Sequence, residues 1–175
     1  NKGGVTNFHF EISAKLIDKE FISLVKNAAK GLFQFEIGIQ STNPLTLKSI
    51  KRNEPFEDIK NNIKDLILLK LFHVHLDLIA GLPYEDIKSF KNSFDDAYSL
   101  KPDMLQLGFL KLLKGSGLRE NVDNYNIKHH KYPPYEVIST NSLRYDDIIL
   151  LKNIENLLDT YYNSGKFKRS IEHIE

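Results

Sequence analysis

Four short segments of the sequence alternate apolar and polar residues with the period of two that is typical of a β-strand. They are Phe8–Ile12, Phe33–Ile39, His73–Ile79 and Met104–Phe109. Apolar residues at helical spacing follow each of the first three segments, and Asp18 is a favoured capping residue before the first helical run. Strands that alternate with helices imply right-handed crossovers and a parallel sheet with helices packed outside it, so the predicted fold class is α/β.

The four predicted strands each have one systematically polar face. The polar positions are His9, Glu11, Glu36, Gly38, Gln40, His73, His75, Asp77, Gln106 and Gly108. A strand with apolar layers on both faces is almost continuously apolar, and an unpaired buried polar group costs roughly 1–3 kcal/mol. We therefore interpret the polar face as the wall of a wet cavity or a polar ligand site. Four strands cannot close a barrel, so we predict a partial (β/α) barrel whose other strands lie outside this sequence or on another chain.

The last third of the sequence lacks this repeat. An irregular stretch precedes a helix that is predicted from about Asp146 to Tyr162. The residues predicted to face inward on this helix are Ile149, Ile154, Leu157, Leu158 and Tyr161. We predict two parts: a partial barrel over residues 1–118, and an irregular segment with C-terminal helices that pack on the barrel over residues 119–175.

Charge and composition exclude several kinds of partner and site. Lys and Arg total 24 against 23 Asp and Glu, so the net charge of +1 does not favour nucleic acid or an acidic membrane as a partner. The sequence has no apolar run of transmembrane length, and Asn1 to Thr6 lack the pattern of a secretory signal, so we expect a soluble cytoplasmic protein. The sequence contains no cysteine, which excludes a disulfide, a thiolate nucleophile and a cysteine-ligated cluster within these residues.

Three motifs of the repeat together resemble the radical S-adenosylmethionine (SAM) superfamily. They are Phe35–Ser41 (FEIGIQS), Leu47–Arg52 (LKSIKR) and His75–Pro83 (HLDLIAGLP), in the order in which that family has them. The similarity is greatest to the branch of coproporphyrinogen-oxidase-like, elongator-type and cobalamin-binding members, and it extends from Phe8 to Leu118. The resemblance implies that the chain supplies strands three to six of the family's six-stranded open barrel.

The resemblance also implies what this sequence lacks. The family's cluster-binding Cys-x-x-x-Cys-x-x-Cys loop follows its first strand, and this sequence has no such loop. We therefore expect an excised piece of a larger enzyme that is inactive as an isolated chain. The parent protein is expected to bind SAM and a 4Fe–4S cluster, and to cleave SAM reductively so as to start radical chemistry on an unknown substrate. The cobalamin-binding branch suggests cobalamin as a further cofactor.

The resemblance gives six residues a role in binding SAM, a small-molecule cofactor. They are Glu11, Gln40, Arg52, Asp77, Ile79 and Lys111. The first two match the family's SAM-contacting glutamate and glutamine, and Arg52 would pair with the SAM carboxylate. Asp77 would accept hydrogen bonds from the ribose hydroxyls, while Ile79 and the backbone of Lys111 would contact adenine. Each position also has a plain structural reading, such as a charge at a strand end, a turn or helix-end contact, or an ordinary core residue.

Two other functions fit parts of the sequence. His73, His75 and Asp77 place two imidazoles and a carboxylate on one strand face, which suits a divalent metal in a barrel hydrolase. A noncatalytic interaction module fits the absence of cysteine but not the polar strand faces, and a broad exposed apolar patch would mark it. The first strand, Phe8–Ile12, is expected to form an exposed edge through which the chain associates with itself.

Overall fold

The computed structural model describes residues 6–52 and 54–174 of the 175-residue chain. In these residues, four strands form one parallel sheet whose spatial order is also their order in the sequence. The strands are β1 (Phe8–Ile12), β2 (Phe33–Gln40), β3 (His73–Ala80) and β4 (Met104–Phe109). The predicted α/β fold with four parallel strands is confirmed, and only β2 and β3 run one residue further than the sequence indicates.

Helices lie between consecutive strands, as parallel pairing requires. They are α1 (Lys19–Val25), α2 (Pro44–Ser49), α3 (Phe56–Leu68) and α4 (Ile87–Ser99), and a short 3₁₀ helix (Ala14–Leu16) precedes α1. Capping side chains begin three of them: Asp18 accepts a hydrogen bond from the backbone N–H of Phe21 at 2.7 Å, and Asn43 and Asp86 act in the same way on α2 and α4. None of the helices in the described residues is both long and apolar enough to cross a membrane.

The two faces of the sheet differ as the alternation predicts. The buried apolar positions of β2, β3 and β4 are Phe35, Ile37, Ile39, Val74, Leu76, Leu78, Leu105, Leu107 and Phe109. They form one core with buried helix residues such as Ile63, Leu66 and Phe90, and each fully buried side chain of this kind contributes about 1.5–3 kcal/mol. The edge strand β1 differs, because Phe8 and Phe10 remain 47% and 45% exposed.

The C-terminal part of the chain packs along β4. It contains α5 (Gly117–Glu120), α6 (Tyr145–Leu157), a π-helical continuation of α6 (Leu158–Asn163) and α7 (Lys168–Ile174). The Asn163 side chain accepts a hydrogen bond from the backbone N–H of Leu105 at 3.0 Å and donates one to the Leu105 carbonyl at 2.9 Å. These two bonds attach the π-helical segment to the backbone of β4. The division of the chain at residue 118 stays a prediction.

The predicted inward face of α6 is wrong at three positions. Ile149, Leu157 and Tyr161 are exposed, whereas Ile148, Leu151 and Leu158 are buried. The run of four apolar residues from 148 to 151 fits two helical phases, and the wider turn of the π-helical segment shifts the phase again near its end.

The stretch predicted to be irregular contains a short antiparallel sheet. Its strands are β5 (Lys128–His129) and β6 (Val137–Ser139). Val137 at the start of β6 also packs on Gly81, where φ is +91° and an added Cβ would lie 2.7 Å from a Val137 methyl group. The C-terminal part of the chain therefore contacts the loop that follows β3.

Candidate functional site

The polar strand positions lie together on the face of the sheet opposite the apolar core. The register places Glu11 beside Glu36, and Asp77 between Gly38 and Gln106. Parallel strands also bring their carboxyl ends to one edge, which is where open α/β sheets bind ligands. The predicted polar wall is thus one continuous surface of the four strands.

Gln40 and Arg52 meet over Gly38 near the end of β2. Gln40 has φ +71° and lies where the pairing of β2 with β3 shifts, so the strand bends at this residue. A Cβ on Gly38 would lie 2.1 Å from Nε2 of Gln40 and 3.6 Å from the guanidinium of Arg52, so only glycine leaves room for this arrangement. Arg52 donates a hydrogen bond to the carbonyl of Gly38 at 2.7 Å. Oε1 of Gln40 is buried and has no hydrogen-bond partner among the described residues.

Glu36, His75 and Asp77 form a second group beside this one, which we call the polar triad. Nε2 of His75 lies 2.9 Å from Oδ1 of Asp77, and Nδ1 of His75 lies 3.8 Å from Oε2 of Glu36. Burial lowers the pKa of His75, but the close contact and charge of Asp77, followed by the charge of Glu36 and a contact with Gln106, outweigh it and raise the pKa above its usual value. His9 extends the group, because its Nε2 lies 2.9 Å from Oε2 of Glu36.

A buried carboxyl group supports the turn that follows Gln40. Glu85 is fully buried, and its Oε1 accepts hydrogen bonds from the hydroxyls of Ser41 at 2.6 Å and Ser93 at 2.8 Å. Burial raises the pKa of Glu85 to about 7, and the nearby charge of Asp86 adds to this effect, while the two serine hydrogen bonds oppose it. Ser93 in turn accepts a hydrogen bond from the backbone N–H of Thr42 at 3.0 Å. The network therefore attaches the turn after β2 to α4.

The structure brings three of the six predicted SAM-binding residues close together. Gln40 and Arg52 meet over Gly38, and Asp77 is the register partner of Gly38 on β3. The other three lie on separate segments: Glu11 on β1, Ile79 on β3, and Lys111 two residues beyond the end of β4. The carbonyl of Lys111 accepts a hydrogen bond from the backbone N–H of Leu113 at 2.9 Å, and Lys111 pairs with Glu136 in an isolated antiparallel bridge.

The group that could hold a metal ion differs in one member from the set of His73, His75 and Asp77 that the alternative hydrolase function would use. One donor atom from each residue of the polar triad lies within 4.8 Å of the others, whereas the exposed His73 is outside this group in the described residues. Glu36 belongs to the group because it is the register partner of His75 on the adjacent strand, about 5 Å away. The role of Glu36 could be seen only once the register was known.

Comparison with known families settles the relationship of the chain. The sequence pattern of the Radical SAM superfamily matches residues 2–97, which is more than half of the 175 residues. The chain belongs to the radical SAM superfamily. The resemblance inferred from the three motifs is therefore confirmed. A second pattern, described as a protein of unknown function (DUF4080), matches residues 123–175.

One curated protein and one solved structure each match part of the chain. "Coproporphyrinogen III oxidase, anaerobic 1" of Cereibacter sphaeroides is 28% identical over 100 residues, which are 57% of this chain and 22% of that protein. The structure of Escherichia coli HemN, a coproporphyrinogen III oxidase and radical SAM enzyme, superposes on 89% of this chain and 32% of its own, with a TM-score of 0.62 and 18% identity.

A third similar protein was solved with cofactors bound. TsrM of Kitasatospora setae, a radical SAM methyltransferase with cobalamin and a 4Fe–4S cluster bound, superposes on 78% of this chain and 27% of its own, with a TM-score of 0.57 and 13% identity. Both structural similarities establish the fold of this radical SAM chain. The chain spans about a fifth of the curated relative and about a third or less of each solved structure.

Proposed function

We propose that this chain supplies SAM-binding residues of a radical SAM enzyme that cleaves SAM reductively to start radical chemistry. The observation that carries the proposal is the arrangement of Gln40, Arg52 and Asp77 around Gly38. Oε1 of Gln40 is a buried acceptor without a hydrogen-bond partner among the described residues. A buried acceptor left unpaired costs roughly 1–3 kcal/mol, so a ligand rich in hydrogen-bond donors would stabilise this arrangement.

The chemistry of SAM fits these side chains. Its ribose has two neighbouring hydroxyls, which the carboxylate of Asp77 can accept as a pair of hydrogen bonds. Its carboxylate suits the planar guanidinium of Arg52, and its ammonium group suits the exposed carboxylate of Glu11. The amide of Gln40 can both donate and accept, and adenine would lie against Ile79 and the backbone of Lys111. In this arrangement, the chain's own residues bind and orient SAM along the polar face.

The 4Fe–4S cluster does not fit the residues of this chain. The 175 residues contain no cysteine, so any thiolate ligands would have to come from outside them. When bound in a complete enzyme, SAM and the cluster supply the one-electron chemistry. We accordingly propose that the isolated chain is inactive. Cobalamin as a second cofactor and a cytoplasmic location stay predictions from the sequence.

Binding of radiolabelled SAM to the chain, measured by equilibrium dialysis, tests the proposal. Asp77→Asn removes the charge that receives the ribose hydroxyls, and we expect affinity to fall roughly 10- to 150-fold, in line with about 1.5–3 kcal/mol for hydrogen bonds to a charged group. The matched control is Asp65→Asn, which removes an exposed carboxylate on α3. Equal affinities for the two variants, or no binding to the unmodified chain, would contradict the proposal.

A further inference from the structure

The polar triad of Glu36, His75 and Asp77 contains a feature that SAM binding does not explain. The His75 side chain is only 6% exposed, and its Nε2 lies 2.9 Å from Oδ1 of Asp77. Both atoms are buried, and within the described residues they face each other as an ion pair and have no hydrogen bond to another group. The fold thus holds a nitrogen and an oxygen that can each donate a lone pair at the same buried point.

A metal ion would satisfy both atoms. Two ligands about 2.1 Å from one ion are about 3.0 Å apart at right angles and about 3.4 Å apart in the tetrahedral arrangement of Zn²⁺, and the 2.9 Å between Nε2 and Oδ1 is within about 0.6 Å of both values. Opposite ligands of the same ion would be about 4.2 Å apart. One donor atom from each of Glu36, His75 and Asp77 lies within 4.8 Å of the others, so the three residues can act as ligands of one ion after small adjustments.

The side chains around the polar triad also suit a metal site. Nε2 of His9 lies 2.9 Å from Oε2 of Glu36, so His9 can orient this carboxylate from the second coordination shell. An imidazole with two carboxylates favours first-row transition metals over Mg²⁺ and Ca²⁺, which prefer oxygen ligands alone. We propose that Glu36, His75 and Asp77 bind one divalent first-row transition metal ion, for which Zn²⁺ is the natural probe.

The proposed metal site does not depend on SAM binding. A carboxylate has two oxygens, so Asp77 can offer one to the ion and the other to the ribose hydroxyls. Zn²⁺ binding can therefore be measured on the chain without SAM, and its result is independent of the SAM-binding test.

Calorimetric titration of the metal-free chain with Zn²⁺ tests the site, and the absorbance of Co²⁺ in the same position provides a second readout. We expect one ion per chain. Glu36→Gln keeps the size of a side chain that is 26% exposed, so we expect the variant to fold normally. It should weaken Zn²⁺ binding by at least about 10–100-fold, which is the loss that is typical even of outer-shell residues. His75→Ala should weaken binding at least as much.

His73→Ala is the matched control, because His73 lies on the same strand but is exposed and outside the triad. It should bind one Zn²⁺ with unchanged affinity. Circular dichroism of each variant checks that the fold is retained. The proposal is overturned if the chain takes up no stoichiometric ion, or if Glu36→Gln and His75→Ala bind Zn²⁺ as tightly as the unmodified chain does.

Discussion

Glu85 is buried between the turn that follows β2 and the start of α4, and it makes the stability of the chain depend on pH. Burial raises its pKa from 4.5 to about 7. A carboxyl group whose pKa is raised by folding stabilises the fold fully below the unfolded pKa, and this contribution is lost as pH rises through the folded pKa. The shift corresponds to roughly 3 kcal/mol, since each unit is worth about 1.4 kcal/mol. The chain should therefore lose about this much unfolding free energy between pH 4.5 and 7.5 through Glu85 alone.

Glu85→Gln is the perturbation that isolates this effect. Glutamine keeps an oxygen that can accept from Ser41 and Ser93, and it resembles the protonated acid because it carries no charge at any pH. We expect the stability of the unmodified chain, relative to that of the variant, to fall by roughly 3 kcal/mol over this pH range. Near neutral pH, ionised Glu85 should also loosen the turn beside Gln40.

Urea unfolding followed by circular dichroism at several pH values between 4.5 and 7.5 measures this difference. For a slope of about 1–3 kcal/mol/M, the difference between the two urea midpoints should change by roughly 1–3 M across the range. Glu57→Gln, which removes an exposed carboxylate on α3 and leaves Glu85 in place, is the matched control. A difference curve that is flat, or that rises with pH, would refute the reasoning.

Three further predictions concern the site, the sheet edge and the C-terminal segment. Gly38→Ala should displace the Gln40 side chain and weaken SAM binding roughly 10-fold in equilibrium dialysis, whereas Gly117→Ala at the start of α5, where a Cβ would have no atom within 4 Å, should not. Equal affinities would contradict this. Phe10→Lys at the exposed edge should reduce self-association in sedimentation velocity, and an unmodified chain that stays monomeric at high concentration would count against the prediction. Asn163→Ala should lower the unfolding free energy by about 1–3 kcal/mol and speed hydrogen exchange at the Leu105 amide. Unchanged exchange at this amide would show that other contacts hold the segment.

The sheet could be predicted from the sequence because its information is local. Apolar and polar residues alternate in Val74–Asp77 and in the equivalent part of each other strand. This alternation fixes which side chains face the core, and it can be read without knowing how the strands pair. The helix start predicted at Asp18 rests on a short-range capping bond, and the structure shows the same kind of bond at Asn43 and Asp86.

The parts of the site that depend on contacts between distant segments could not be predicted. Glu36 joins His75 only through the register of β2 with β3, and Glu85 reaches Ser41 across 44 residues of sequence. The side chain of Gln40 folds over Gly38 because of a local bend at a positive φ, which glutamine adopts against its usual preference. These features depend on three-dimensional contacts, which the periodicity of the sequence does not specify.

The central claim is that the polar face around Gly38 binds SAM, and a titration of the isotopically labelled chain with SAM, followed by two-dimensional NMR, tests it most directly. This measurement detects even millimolar affinity, so it does not require the cluster. We predict that the backbone amide signals of Gln40, Ser41, Asp77 and Ile79 shift together and saturate with one affinity. Saturable shifts confined to the opposite, helix-covered side of the sheet, or no saturable shift at any SAM concentration, would contradict the claim.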